Sequence, residues 1–350
     1  MLAKKIRTLI VDDSALIRAL LKEVLESDGR IEVCGVATDP YEARDLIKKL
    51  DPDVLTLDIE MPKMNGIAFL KNLMRLRPLP VVMISTLTQE GAPATLEALE
   101  LGAVDFVPKP KNEGADSLAR YRDDICEKVV AASKANVRQF ASAGNAPVRT
   151  PQRIVNTFCR PNYICAIGAS TGGTEAIKEV VSKMPENCPP IVATQHIPEA
   201  FSGSFARRLD SISAPKVYEA EHNQIIEPGN VYIAPGHSHL RVKKSNGRYL
   251  CKLDQGDLVN RHRPAVEVLF DSVVEATGAN CSGILLTGMG ADGAVALKRM
   301  RDAGVFTVAQ DEATSVVWGM PGAAVHLDAA EKVLGLDKIA RAILQNYQKK

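Results

Sequence analysis

Twice along this chain, short β-branched runs alternate with longer helical segments, and no other feature narrows the choice of fold so far. From residue 7 to about 132 the runs RTLIV, IEVCGVA, VLTLD, PVVMIS and VDFVP are separated by helical patterns at 15–26, 40–50, 67–76, 93–101 and 118–132. Five strand–helix pairs in succession predict a parallel sheet covered by helices on both faces, because parallel strands need crossover connections. Ligands of such sheets gather at the carboxyl ends of the strands. A second alternation begins at Tyr163: YICAIG, a helix at 175–184, PIVATQ, a helix at 201–209, a hairpin-like stretch over 217–253, a helix at 265–276, GILLTG, a helix at 294–303 and VFTVAQ. It predicts a second α/β unit, a doubly wound parallel sheet with a small antiparallel insertion.

Two sheets suit a chain of 350 residues, since domains average roughly 150. Between residues 128 and 160 six basic side chains and no acidic one occur amid Ala, Ser, Asn, Gly and Pro, which reads as an extension of the last helix running into a flexible linker. The expected division is a first domain over 1–125, a basic linker over 126–160 and a second domain over 161–347. The composition, 46% hydrophobic and 24% charged, is that of an ordinary soluble globular protein. With a net charge of +1 and no Lys/Arg block interleaved with aromatics, a nucleic-acid partner is disfavoured. Seven scattered cysteines without a C-x-x-C pair suit small buried hydrophobes in a reducing compartment. The start MLAKKIRTLIVDD is too soon charged for a signal-peptide core, and no run of 18 apolar residues occurs, so a cytoplasmic protein without direct membrane insertion is expected. Work at a membrane receptor stays open.

Asp12 and Asp13 follow the first strand, Asp58 ends the third, Ser85 ends the fourth and Lys109 follows the fifth, so all five converge on one sheet edge. Crowded carboxylates repel and call for a cation, and hard oxygen ligands with few protein contacts suit Mg²⁺. A metal-bound carboxylate can attack a phosphoryl group, whose oxygens Lys109 and the Ser85 hydroxyl would hold. Taken alone, Asp12 and Asp13 read as a helix N-cap with acidic company; the whole constellation overturns that reading. At VDDS (11–14), LDIEMPKMNG (57–66), IST (84–86) and FVPKP (106–110) the chain closely resembles the receiver domain of bacterial response regulators. The resemblance implies a flavodoxin-like (βα)5 receiver with Asp58 as phosphoacceptor. It makes Asp13 and Asp58 Mg²⁺ ligands together with the Glu60 main-chain carbonyl, Asp12 an acidic neighbour, and Ser85 and Lys109 the switch pair. Phe106 matches the aromatic that changes rotamer in such receivers, although plain packing of a ring on an outer strand would place it equally well. A cis Lys109–Pro110 bond is also implied. Phosphorylation there would add about 1.5 to 2 negative charges and bias a two-state surface.

In the second domain Gly168-Ala169-Ser170-Thr171-Gly172-Gly173 follows a strand and opens a helix. The serine therefore sits on a tight strand-to-helix turn satisfying G-x-S-x-G, where a helix N-terminus favours developing negative charge. A glycine-rich anion cradle is the rival reading, although the segment fails the dinucleotide fingerprint G-x-G-x-x-G. A serine nucleophile needs a base, and His196 directly follows PIVATQ on the same edge. His237 and His239 form an H-x-H without an evident carboxylate or Cys partner, a weak hint of metal; His222, His262 and His326 are less well placed. The base needs an orienting carboxylate, and Asp292 in GMGADG follows GILLT, where a helix N-cap is its plainer role. The chain order Ser, His, Asp departs from the α/β-hydrolase order, and amides of the 288–290 turn could form an oxyanion hole.

GASTGG, TQHIP, APGH, TGMGADG and QDEATSVVWGMP together resemble the catalytic domain of chemotaxis protein-glutamate methylesterases, and with the receiver in front the match covers nearly the whole chain. The resemblance implies Ser170 as nucleophile, His196 as general acid/base, Asp292 as its orienter, the Met289 amide as oxyanion donor, and no cofactor for the hydrolase. That family demethylates glutamyl methyl esters and deamidates selected glutamines on methyl-accepting chemotaxis receptors, and a chemotaxis histidine kinase is the implied phosphodonor. Both reactions pass through one acyl-enzyme and differ only in the leaving group. Arg261-His262-Arg263 could attract acidic receptor helices or form a solvated turn. The unphosphorylated receiver is expected to occlude Ser170. Two alternatives stand beside this reading: a receiver-controlled partner-binding protein, and a hydrolase of a small ester or amide.

Overall fold

Apolar runs of the first alternation become inner strands because helices cover both of their faces. In the computed structural model, which describes residues 4–85, 88, 91–109, 114–135, 137 and 159–348, VLTLD and VVMIS form β3 (Val54–Asp58) and β4 (Val81–Ser85), and every residue of both is buried. Such strands read as continuous hydrophobic sequence rather than as alternation. With β1 (Ile6–Val11), β2 (Ile31–Ala37) and β5 (Asp105–Pro108) they form a sheet in the order β2-β1-β3-β4-β5, all parallel. The helices are α1 (Ala15–Glu26), α2 (Pro40–Leu50), α3 (Gly66–Leu76), α4 (Ala92–Glu100) and α5 (Gly114–Ala132). Three of them start at side-chain caps: the Ile17 amide donates to Ser14, the Tyr41 and Glu42 amides to Asp39, and the Ala68 amide to Asn65. Each cap satisfies donors that a first helical turn leaves open.

Helix α5 continues to Ala132, beyond residue 126, where the linker was expected to begin. Cys126, Val129, Val130, Ala131 and Ala132 are buried, and this apolar face keeps the helix packed on its own unit. Of the expected linker, residues 136 and 138–158 lie outside the described residues, as does Pro110 and with it the expected cis bond.

The second unit contains β6 (Ile164–Ala169), β7 (Ile191–Gln195), β8 (Lys216–Glu219), β9 (Asn230–Ile233), β12 (Cys281–Leu285), β13 (Phe306–Gln310) and β14 (Lys332–Leu334) in one sheet, ordered β14-β13-β12-β6-β7-β9-β8. All its pairs are parallel. The stretch at 217–253, expected as hairpin-like throughout, divides in two. The connection over 220–229 is too long for a tight turn and returns the chain to the start of its neighbour, so β8 and β9 pair in parallel. Only β10 (His239–Ser245) and β11 (Arg248–Asp254) form an antiparallel hairpin, closed by Asn246 and Gly247 at positive φ, as a two-residue hairpin turn requires.

Helices α6 (Gly173–Val181), α7 (Glu199–Ile212), α8 (Val266–Thr277), α9 (Ala294–Asp302), α10 (Met320–His326) and α11 (Leu336–Tyr347) complete the unit. Leu240, Val242, Tyr249 and Cys251 of the hairpin share a buried cluster with Leu269, Phe270 and Val273 of α8, where full burial of a large apolar side chain contributes about 1.5–3 kcal/mol. The Val242 amide adds a 2.9 Å hydrogen bond to Ser272 Oγ. The insertion therefore holds α8, and with it the N-terminus of α8, in place. Five of the seven cysteines are buried; among the described residues no helix is long and apolar enough to cross a membrane.

Candidate functional site

In the first unit the strand order reverses between β1 and β3, and the crevice at such a reversal is where open α/β sheets bind ligands. Asp12 and Asp58 are buried there and Asp13 is exposed, with carboxylate oxygens of all three within 4.8 Å of one another. The Ser14 amide donates to Asp12 Oδ1 at 2.8 Å, but the buried Asp12 Oδ2 has no hydrogen-bond partner. Lys109 Nζ donates to Asp58 Oδ2 at 2.8 Å and stands 4.0 Å from Asp12. Burial raises the Asp58 carboxyl, the Lys109 hydrogen bond opposes the rise and the Asp12 charge adds to it, leaving the group at about 6; burial likewise raises Asp12. Three converging acids and an orphaned carboxylate oxygen are a donor set that fits a hard divalent cation.

The cleft over these acids, ≈ 600 Å³, is bordered by Asp13, Asp58, Glu60, Asn65 and Ser85. Glu60 is exposed, and its amide approaches Asp58 Oδ1 at 3.3 Å. The Ser85 hydroxyl shares a 2.8 Å hydrogen bond with Thr95 Oγ1 of α4, a partner that spacing did not suggest. Phe106 is buried, with Lys128 Nζ 5.5 Å from its ring centre and donating to its carbonyl at 2.9 Å.

In the second unit β6 and β12 are neighbours at the other reversal of strand order, and β7 flanks β6. Ser170 follows β6, His196 follows β7 and Asp292 lies beyond β12, so their side chains meet. His196 Nδ1 lies 3.1 Å from Ser170 Oγ, and His196 Nε2 lies 2.8 Å from Asp292 Oδ2. With Asp292 ionised, Nε2 carries the proton it donates, which leaves Nδ1 to accept from the serine hydroxyl. Two glycines, one in the serine loop and one in the turn after β12, are needed for want of space. A Cβ at Gly172, whose φ is +73°, would stand 2.3 Å from Val316 Cγ2; one at Gly288 would stand 2.3 Å from Met320 Sδ and 2.8 Å from Ser170 Cβ. Gly288 thus lets its own backbone pass beside the serine, and the amide of the next residue, Met289, makes no hydrogen bond among the described residues.

Asp292 does act as a helix cap, but for a different helix. Gly293 is the N-cap of α9, whereas the Val266 and Glu267 amides of the first turn of α8 donate to Asp292 at 2.7 and 3.2 Å. Burial pushes its carboxyl up, but the His196 hydrogen bond and charge, the Asn260 side chain and the Val266 amide outweigh burial and bring it down to about 2.

Residues 165–343 match the family model for the CheB methylesterase, and residues 8–117 match that for the response regulator receiver domain. Over 99% of its length the chain is 63% identical to the whole of a protein-glutamate methylesterase/protein-glutamine glutaminase from Saccharophagus degradans. The chain belongs to that family. It is also 50% identical, over 99% of its length, to the full-length counterpart from Hydrogenovibrio crunogenus. The solved methylesterase catalytic domain of Thermotoga maritima superposes with a TM-score of 0.51 at 38% identity, covering 52% of this chain and 97% of that domain.

Several residues brace the site in this methylesterase without a role assigned from sequence, although Gln195 and Thr287 lie within TQHIP and TGMGADG. Gln195 Nε2 donates to the carbonyls of both Ser170 and His196, at 2.8 and 3.1 Å. Thr287 Oγ1 lies 3.0 and 3.1 Å from the carbonyls of Thr171 and Val317, which share its single proton, and accepts from the Val317 amide, which ties the 287–290 turn to the serine loop. Asn260 Nδ2 donates to Asp292 Oδ1 at 2.8 Å. Its only sequence signal was an asparagine suited to a left-handed turn. Both nitrogens of His239 are engaged by the main chain, at Asp257 and Ala265; His237 bonds Ser238, His222 bonds Lys252, and His326 bonds the Gly322 carbonyl.

Proposed function

We propose that Ser170, His196 and Asp292 are the residues with which this enzyme, a receiver-controlled protein-glutamate methylesterase and protein-glutamine glutaminase, hydrolyses glutamyl methyl esters and glutamine side chains of chemoreceptors. The observation that carries the assignment is the continuous chain Ser170 Oγ, His196 Nδ1, His196 Nε2, Asp292 Oδ2 at 3.1 and 2.8 Å. Ser170 Oγ attacks the γ-carbonyl as His196 Nδ1 takes its proton, and the Met289 amide donates to the oxyanion. His196 returns the proton to the leaving group, so methanol departs from an ester and ammonia from an amide. Water, deprotonated by His196, then attacks the acyl-enzyme; the glutamate carboxylate forms and Ser170 recovers its proton. Asp292 holds the imidazole in the required tautomer throughout and stabilises its positive form.

In the receiver Asp58 accepts the phosphoryl group from an upstream histidine kinase, and Lys109 neutralises the charge that arrives. Asp13, Asp58 and the Glu60 carbonyl would hold Mg²⁺, with Asp12 beside them; when bound, the ion offsets carboxylate and phosphoryl charge. The buried Asp12 oxygen without a donor supports this reading. Free of other ligands, the receiver should gain about 2.7 kcal/mol of stability at a Mg²⁺ concentration a hundred times the Kd, and Asp13→Asn should lose most of that gain. Calorimetric unfolding in Mg²⁺ and in EDTA measures it, and an equal shift in both proteins would remove Asp13 from the ligand set. The cytoplasm, where kinase and receptor tails are reached, is the compartment this function requires.

Methanol release from methyl-esterified receptor membranes tests the whole assignment. Mg²⁺ plus a small phosphodonor should raise the rate of the natural protein about tenfold, within the range of ordinary coupling free energies, and should leave Asp58→Ala at its basal rate. Absence of release from the phosphorylated protein would sink the methylesterase reading, and a rise that persists in Asp58→Ala would sink the switch.

A further inference from the structure

One four-residue turn, between β11 and α8, supplies two side chains to the triad. Val259 and His262 exchange main-chain hydrogen bonds, Val259 N to His262 O at 3.1 Å and His262 N to Val259 O at 2.9 Å. The residues between them, Asn260 and Arg261, take φ of +51° and +68°. That is the backbone of a type I′ turn, which asparagine tolerates and arginine adopts against its preference. The turn is pinned at both flanks. The buried His239 pairs through Nε2 with the Asp257 carbonyl at 2.9 Å and through Nδ1 with the Ala265 amide at 3.1 Å. Arg263 donates to the carbonyls of Gln255 and Gly256, both at 2.9 Å.

So held, the turn aims Asn260 at Asp292 and lays His262 on His196. The two imidazoles are stacked, with ring centres 3.7 Å apart and planes inclined by 15°. A hydrogen bond at each nitrogen and the bond to Cβ fix where the His196 ring lies but leave its plane able to rock within the compliance of the two hydrogen bonds. A second ring flat against one face removes that freedom. It also places a π face beside the ring that becomes cationic when it takes the serine proton, and such faces attract cations.

We propose that His262 is a positioning residue for acyl transfer: stacked on His196, it keeps Nδ1 aimed at Ser170 Oγ and favours the imidazolium formed as the serine attacks. This rests on the assignment of His196 as the base. The effect falls on the chemical step, since ring orientation in the transition state is what changes and substrate binding is not.

The test is steady-state methanol release by the full-length, phosphodonor-treated protein from methyl-esterified receptor membranes, with kcat and KM separated. His262→Ala should lower kcat about tenfold or more, on the scale by which small misplacements of a catalytic group slow enzymes, with KM changed less than about twofold. His262→Phe keeps a flat ring and should recover most of the lost kcat; His262→Leu fills the space without a ring and should resemble His262→Ala. The proposal is overturned by an unchanged kcat in His262→Ala, by a loss confined to KM, or by leucine rescuing as well as phenylalanine. Should His262→Ala fail to fold, the comparison of phenylalanine with leucine decides. Ser170→Ala separates the two levels: full activity in it removes the base assignment itself, whereas Ser170-dependent release indifferent to His262 removes only the stack.

Discussion

Replacing Ser170 with alanine should lower kcat for methanol release by about 10⁶-fold, the scale on which a serine hydrolase loses rate with its nucleophile, and leave the fold intact. That factor corresponds to about 8 kcal/mol of transition-state stabilisation. The fold should survive because the main-chain bonds that shape the turn are kept by alanine. The Ser170 amide donates to the Thr287 carbonyl at 3.0 Å, and the Ser170 carbonyl accepts from the Gly173 amide at 2.7 Å and from Gln195 Nε2 at 2.8 Å. The thermal midpoint should accordingly stay within about 2 °C of the natural protein's, a change worth about 0.5–1 kcal/mol in a unit of this size. Release of ammonia from glutamine-bearing receptor should fall in parallel, since one acyl-enzyme serves both leaving groups. Methanol release at an undiminished rate would assign the hydrolysis to another nucleophile.

Asp292→Asn should cost activity and stability together. An amide in place of this carboxylate allows His196 to take the wrong tautomer, a change that lowers kcat about 10⁴-fold in the serine protease triad. The structural cost has its own cause. Asp292 Oδ2 accepts from His196 and the Val266 amide, and Oδ1 accepts from Asn260 and the Glu267 amide. Either orientation of an asparagine side chain would set its NH₂ group against donors, and leaving buried donors unpaired costs about 1–3 kcal/mol.

The pH dependence of stability reports the same contacts. Bonding to these donors lowers the Asp292 carboxyl from 3.8 to about 2, so its contribution is present in full above pH 3.8 and is lost as pH falls through about 2. By linkage it amounts to about 2.5 kcal/mol. The single tryptophan of the chain, Trp318, lies in the second unit and donates to the Gln310 carbonyl, which makes its fluorescence a local monitor of denaturation. Urea titrations from pH 5 to pH 2 should show the natural protein losing this increment and Asp292→Asn lacking it from the start. Parallel curves for the two proteins would contradict this account of Asp292.

Both sheets and nearly every motif residue were legible in the order of residues, because the signals were local. Runs such as VLTLD and VVMIS carry enough buried apolar side chains to specify inner parallel strands, and the ends of successive strands in a parallel sheet share one edge. Placement on that edge, with the two sets of family motifs, sufficed to group Asp12, Asp13, Asp58 and Lys109, and separately Ser170, His196 and Asp292. The division of 217–253 was not legible, since strands as short as β8 and β9 acquire their direction from the neighbour with which they pair.

Nor could sequence alone say which helix Asp292 caps. Its own neighbours point to α9, while the amides it receives belong to α8, which is held in place by the β10–β11 hairpin. The stack of His262 on His196 depends likewise on a turn whose shape is set by anchors at His239 and Arg263. Sequence by itself determined which chemical groups this protein brings to each sheet edge. Only the tertiary structure decided how those groups are oriented, because hydrogen bonds and ring contacts between residues far apart in the chain are made by packing, and local pattern holds no record of them.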